Sequence, residues 1–283
     1  MPTSRDLTYL TAPFPELPEK PQAVEHLFLR PFGVLAKDRD VNFHQAYRPD
    51  LETQILQCCT CTHQSPPPTP DFFWNLDIST RTACLLLIAA LGEGTEDLTL
   101  DLRCRQPDCR EEMEVELTQG DLASLLQPTS QSEPIQVRLS EHTFGLRRPT
   151  GADQLAWLNQ SFADEFTAIR TMVQQLLPEE QWLPFQQIGG MNWLPAVNQV
   201  MEKMDPLVSF KLQVQCPGCG TKAVHGVDLG EIALQKLNRA QDQLLKTVHR
   251  LASHFHWTEE VILDLPLWRR ERYLQFIKRE ADR

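Results

Sequence analysis

Two cysteine pairs carry the residue types and spacing best suited to chemistry in this chain: Cys104-Arg-Gln-Pro-Asp-Cys109 and Cys216-Pro-Gly-Cys219. Cysteines a few residues apart across a tight turn can aim both sulfurs at one ion, and Zn2+ takes four such ligands in a tetrahedron with Zn–S near ~2.3 Å. Pro217 and Gly218 suit the turn, because proline presets φ and glycine accepts φ > 0. Each pair supplies half a site, so Cys104, Cys109, Cys216 and Cys219 together would make one closed, structural four-cysteine Zn2+ site. Four thiolates leave no open position for water, which argues against catalytic zinc. The alternatives are two metal-free turns, or two half-sites that each recruit a partner chain. His225 could replace one sulfur, but it sits in an alternating run and reads better as a strand residue.

The segments that must position these thiols repeat. Leu98, Leu100 and Leu102 alternate into Cys104, as Phe210, Leu212 and Val214 alternate into Cys216. Met113, Val115 and Leu117 follow the first pair and lead to Gly120-Asp121-Leu122-Ala123. Ala223, His225 and Val227 follow the second and lead to Gly230-Glu231-Ile232-Ala233. Both stretches read as strand, cysteine knuckle, strand, glycine, acidic residue, helix start. Alternating strands around a knuckle predict a duplicated zinc-ribbon-like unit. The halves lie much further apart in sequence than ribbon ligands usually do, so the fold has to bring the repeats together as a pseudo-twofold pair.

Composition narrows the class. The 283 residues are 41% hydrophobic, enough for one large or two small domains with a sizeable core. A net charge of −11 disfavours nucleic acid, whose phosphates demand a surplus of Lys and Arg. No run of about eighteen apolar residues exists to span a membrane. Met1-Pro-Thr-Ser-Arg leads into no apolar signal core, so the expected setting is the cytoplasm, where thiols stay reduced and bind metal rather than crosslink.

Along the chain, residues 1–70 read as a proline-rich N-terminal arm and linker, with a short ordered piece at Val24-Glu-His-Leu-Phe-Leu and a helix over 51–63. Cys58, Cys59, Cys61 and His63 hint at a second metal site, but their spacing matches no common ligand pattern, and thiols at a helix end is the preferred reading. Ser65-Pro-Pro-Pro-Thr-Pro70 forms a stiff spacer. Residues 71–127 hold a buried helix over 79–91, capped by Ser79 or Thr80, and the first cysteine repeat. Residues 128–207 insert a hairpin (Ile135–Leu139 with Thr143–Arg148), a helical stretch from Gly151 to Leu177 with Trp157 and Phe166 in the core, a loop-rich stretch and a short helix from Ala196. Residues 208–256 hold the second repeat and a helix of about seven turns whose seam is Leu237, Leu244, Val248, Leu251 and Phe255. Residues 257–283 form a C-terminal helical module, with Thr258 capping one helix and Pro266 separating it from the last. On that last helix, Trp268, Arg269, Arg270, Arg272 and Tyr273 read either as a binding face for an acidic partner or as a solvated basic face with its aromatics packed inward.

Nucleotide-binding glycine loops, nucleophile elbows and zinc-protease signatures are all absent, and Glu111, Glu112, Glu114 and Glu116 read as a charged solvent face, so nothing asks for an enzyme.

A leucine-rich helix, a cysteine-pair repeat, a hairpin region, a second cysteine pair followed by Gly220, a long helix and then His254-Phe-His-Trp-Thr-Glu-Glu-Val-Ile-Leu-Asp-Leu-Pro-Leu-Trp-Arg-Arg270 follow one another in this order over roughly residues 72–280. This resembles the baseplate hub and hub-assembly chaperone proteins of contractile-tailed phages and phage-tail-like contractile injection systems. The first cysteine pair departs from the pattern by its four-residue gap. The resemblance implies that the four cysteines hold zinc and that Trp257 to Ile277 form an interaction module, with Trp257, Trp268, Arg269, Arg270 and Tyr273 touching other baseplate, hub or spike proteins. The expectation is therefore a non-enzymatic α+β protein made in the cytoplasm and used in, or built into, a contractile tail. The alternative is a zinc-ribbon adaptor in transcription or RNA processing.

Overall fold

The computed structural model describes residues 11–15, 27–44, 47–62, 68–92, 98–125, 134–139 and 141–281. The fold mixes helices with small antiparallel sheets. Strands β1 (Ala12–Pro13) and β2 (Leu27–Leu29) pair antiparallel, and a 3-10 turn at Ala36–Asp40 leads to α1 (Arg48–Cys59). The chain then adds β3 (Thr60–Thr62) beside β2, followed by α2 (Pro70–Trp74) and α3 (Ile78–Gly92). Helix α3 is apolar almost all round, which drives burial on most of its sides. It does so between α1 and the later long helix, in a core that includes Leu51, Ile55, Leu85, Ile88, Ala233 and Leu237. Its N-terminus is capped not by Ser79 or Thr80 but by Asp77, whose carboxylate accepts the Thr80 amide at 2.8 Å and the Thr80 hydroxyl at 2.7 Å. The carboxylate is the stronger acceptor for the orphan amides and wins that role.

Residues 27–44 and 47–62, which the sequence reading assigns to an arm and linker, pack into this core: Leu29, Phe32 and Val41 are buried in it. The buried Arg30 guanidinium donates to both Asp38 oxygens at 2.8 and 2.6 Å. Asp38 also accepts the Gly33, Val34 and Leu35 amides, each at 3.0 Å. Helix α1 ends at Cys59, four residues before the sequence reading ends it, because Thr60–Thr62 is drawn into the ladder with β2. His63 and the first half of the proline spacer, residues 65–67, lie outside the described residues, and the last spacer residue, Pro70, opens α2.

A second ion network ties α1 to α3. The fully buried Arg81 donates to Glu52 at 3.2 Å, to the Thr53 hydroxyl at 3.1 Å, and to the Phe73 and Pro49 carbonyls at 2.8 and 2.7 Å. Glu52 in turn accepts from Arg48 at 2.7 Å, so this buried carboxylate is satisfied from two sides.

Next come β4 (Leu98–Arg103), β5 (Glu112–Leu117) and the short α4 (Gln119–Leu125). An inserted unit holds the hairpin β6 (Ile135–Leu139) and β7 (His142–Leu146), then α5 (Gly151–Leu158), α6 (Glu165–Gln175), α7 (Trp182–Gln187) and α8 (Leu194–Met204). It has a core of its own, with Val137, Phe144, Val173, Phe185, Trp193 and Val197 buried together. The helical stretch expected from Gly151 to Leu177 is divided into α5 and α6, because Asp164 caps a new start by accepting the Thr167 amide at 2.7 Å. Phe166, expected in the core, is 39% exposed in the first turn of that new helix. Trp157 is half-buried and donates its indole N–H to Gln175 at 2.5 Å.

The chain closes with β8 (Lys211–Gln215), β9 (Lys222–Gly226), the long α9 (Leu229–Phe255), α10 (Glu259–Asp264) and α11 (Leu267–Ala281). Asp228 caps α9 by accepting the Glu231 amide at 2.9 Å, and it also receives both ends of the Arg48 guanidinium at 2.6 and 3.0 Å. The seam read from the sequence is the buried one. Leu237 joins the main core, and Leu244, Val248 and Leu251 form a separate cluster with Ile262 and Leu263.

Candidate metal centre

The two cysteine hairpins are built alike. In the first, the pairs Leu100–Val115 and Leu102–Met113 face each other across the ladder, and the Cys104 amide closes the turn on the Glu111 carbonyl at 2.8 Å. In the second, Leu212 faces His225 and Val214 faces Ala223, and the Cys216 amide closes on the Thr221 carbonyl at 3.0 Å. The residue after the second cysteine is left-handed in both: Arg110 at φ 50° and Gly220 at φ 71°. Glycine suits that conformation at no steric cost, whereas arginine adopts it only under constraint. The extra two residues of the first knuckle form a turn in which the Cys109 and Arg110 amides both reach back to the Gln106 carbonyl, at 3.1 and 3.2 Å. That turn supplies the constraint and absorbs the longer gap.

Those turns bring the four thiols together. Cys104 and Cys219 sulfurs lie 3.6 Å apart, Cys109 and Cys216 sulfurs 3.7 Å apart, and all four lie within 4.8 Å of one another. A tetrahedron with metal–sulfur bonds of ~2.3 Å has sulfur–sulfur edges of about 3.8 Å, so the two short edges match a tetrahedral thiolate site, whereas a disulfide would need about 2 Å. Cys104 and Cys216 are buried with Met113 in a small apolar cluster, Cys109 is half-buried, and Cys219 is exposed. Gly218 lies against the other knuckle: a Cβ there would be in ordinary van der Waals contact with the Cys109 sulfur at 3.4 Å and with Glu111 at 3.5 Å. His225 is buried in β9 and is not one of the clustered ligands.

Backbone donors surround the sulfurs. The amide two residues on from the cysteine points at the sulfur in three cases: Gln106 to Cys104, Glu111 to Cys109 and Thr221 to Cys219. Such N–H groups stabilise thiolate over thiol. The Thr221 hydroxyl and amide push the Cys219 thiol down to about 6. The Glu111 amide favours the Cys109 thiolate, but burial and hydrogen bonds to Cys216 and Cys219 outweigh it and raise that thiol to about 12. Four neighbouring thiolates repel one another when no cation lies between them. A divalent cation removes that obstacle and displaces the remaining protons. The donor set, four sulfurs with no carboxylate, suits a soft or borderline ion such as Zn2+.

The other sequence-stated candidates are dispersed. Among the described residues, Cys58, Cys59 and Cys61 join no cluster of metal-ligating side chains. Cys59 is fully buried and its thiol is pushed far up by that burial, which makes it inert core. At the C-terminal end, Phe255 stacks on Trp257 at 4.7 Å, and Tyr273 meets the Trp257 ring edge-on at 4.9 Å, so Trp257 and Tyr273 brace the corner between α9 and α11. Trp268 is 61% exposed and Arg269 lies on the surface beside the Tyr273 ring. Arg270 points inward and is only 3% exposed. The donor amides and Thr221 escaped the sequence reading; the glycine after Cys219 signals the knuckle, but Arg110 carries no comparable mark.

Comparisons with protein-family models, with curated proteins and with solved structures return no match to this chain. Among the described residues, no helix is long and apolar enough to cross a membrane.

Proposed function

We propose that this chain is a non-enzymatic scaffold or assembly protein whose two cysteine hairpins form a duplicated zinc-ribbon-like pair, cross-braced by one structural Zn2+ on Cys104, Cys109, Cys216 and Cys219. The observation that carries the proposal is the pair of sulfur–sulfur edges, 3.6 and 3.7 Å, each linking one hairpin to the other. A closed four-sulfur site stabilises a fold and offers no open coordination position for a substrate. The setting we propose is the baseplate of a contractile phage tail or a related injection system. Its support is the order of motifs over residues 72–280 and the tryptophan-rich C-terminal stretch. Helices α10 and α11, with Trp268 and Arg269 outward, would dock other baseplate, hub or spike proteins.

The test is a tagged pull-down from producing cells, fractionated by sedimentation, with zinc measured in the purified chain. Pelleting with sheathed particles assigns a built-in subunit. Recovery with hub or spike proteins in the soluble fraction assigns an assembly chaperone. Recovery with transcription or RNA-processing proteins, together with salt-sensitive nucleic-acid binding, would replace this reading with the adaptor one.

A further inference from the structure

Away from the cysteines, a cavity of about 370 Å³ opens between α3, α9 and α11. Its apolar lining includes Phe32, Ile88, Leu237, Leu244, Leu267 and Leu274, and its charged lining is Lys236, Arg239, Arg270 and Glu271. Arg270 is the anomaly. It is 3% exposed, its Nη2 donates to the Val34 carbonyl at 2.9 Å, and its Nε and Nη1 have no hydrogen-bond partner. Among the described residues, the fully buried guanidinium groups of Arg30 and Arg81 each meet a carboxylate, Asp38 and Glu52, although Arg30 too leaves its Nε without a partner. A buried cation with two orphan donors is costly and calls for an acceptor. Burial holds the Arg270 pKa below the usual arginine value, and the carboxylate that partly offsets this, Glu271, is its exposed neighbour in sequence.

We propose that this cavity binds a peptide segment of a partner protein that presents a carboxylate between apolar side chains, with the carboxylate on Arg270 and the apolar groups on Phe32, Ile88 and Leu237. The volume suits two or three side chains and lies at the lower end of ligand-pocket sizes. Three of the four charged lining residues are cations, which fits an acidic group. Gln243 and Thr247 also line the cavity and offer hydrogen bonds to a peptide backbone. A phosphate would leave the apolar floor empty, and a simple fatty acid would leave these polar groups unused. The inference stands independently of the metal and baseplate readings.

The test is a titration of the full-length 15N-labelled chain, following the Nε–H resonance of Arg270 and the amide of Val34. The probes are acetyl-Leu-Glu-Leu-Leu-amide and its Gln counterpart, with octanoate and inorganic phosphate as separate arms. The expected result is saturable shifts with the Glu peptide and binding at least about tenfold weaker with the Gln peptide. Arg270→Gln should erase that difference, and Arg270→Lys, which keeps the charge where the Gln variant fails to fold, should narrow it. Equal binding of both peptides, saturable shifts with octanoate or phosphate in place of the peptide, or no shift at millimolar peptide would overturn the proposal.

Discussion

The Cys109 and Cys216 sulfurs face each other at 3.7 Å although 107 residues of chain separate them. The second short edge, Cys104 to Cys219, also runs between hairpins. Each knuckle therefore holds its own two sulfurs in shape, while the contacts that close the tetrahedron join one hairpin to the other. Metal bound here clamps two distant parts of the chain.

Zinc held in that clamp would be a stability determinant. Chain purified under reducing conditions should carry one Zn2+. Cys216→Ser should release it and lower Tm on the order of 10 °C, since structural zinc binding is folding free energy. Cys219→Ser, at the exposed corner, should cost less. Elemental analysis and calorimetry with and without chelator measure both. A metal-free wild type with an unaltered Tm in chelator would sink the assignment.

Asp205 gives the folded state an acid-side signature. Burial raises its carboxyl to about 6, against the lowering effect of Arg148, whose Nε lies 3.0 Å away. Its folded pKa lies above the ordinary carboxylate value, so the folded state binds the extra proton and stability falls as pH rises from about 4 to about 6. The whole effect is at most about 3 kcal/mol. Urea unfolding of wild type and Asp205→Asn across that window should show a slope that the variant loses; parallel curves would refute it.

Glu52 is the hinge of the α1–α3 network. Glu52→Ala leaves Arg81 buried with carbonyl partners but no carboxylate, and the expected cost is about 3–5 kcal/mol in urea unfolding. A loss under about 1 kcal/mol would mean that the carbonyls and Thr53 already satisfy the guanidinium.

The two tryptophans of the C-terminal module should separate. Trp257→Ala breaks the stack with Phe255 and Tyr273 and should cost about 2 kcal/mol of stability. Trp268→Ala, on the surface, should change stability by less than about 0.5 kcal/mol yet reduce recovery of the partner in a pull-down. Unchanged recovery with the Trp268 variant would remove that residue from the docking face.

The cysteine hairpins and the seam of α9 were legible because both are written locally: alternation around a knuckle, and Leu237, Leu244 and Leu251 at seven-residue spacing. The strands, the cap at Thr258 and the exposed glutamates of β5 follow from the same local rules. The packing of residues 27–44 and 47–62 was not legible, because it depends on partners distant in sequence. Gln241, on α9, donates to the Asp38 and Val41 carbonyls at 2.8 and 2.7 Å, and no nearby residue announces that contact. The break at Asp164 and the exposure of Phe166 were missed for a different reason: an amphipathic pattern on either side of a new cap looks continuous. The inward turn of Arg270 was hidden by its neighbours, since Arg269 and Arg272 on the same helix do face solvent.

Two residues separate β9 from helix α9, which runs 27 residues, or about 40 Å, to the corner where Phe255, Trp257 and Tyr273 meet. Strand β9 stands between the cysteine knuckle and the root of the helix, and that root is set in the main core through Leu229, Ala233, Leu234 and Leu237. One degree of tilt at the root moves the tip by about 0.7 Å. A core substitution that lets the root tilt would therefore be felt mainly as misalignment at the far end.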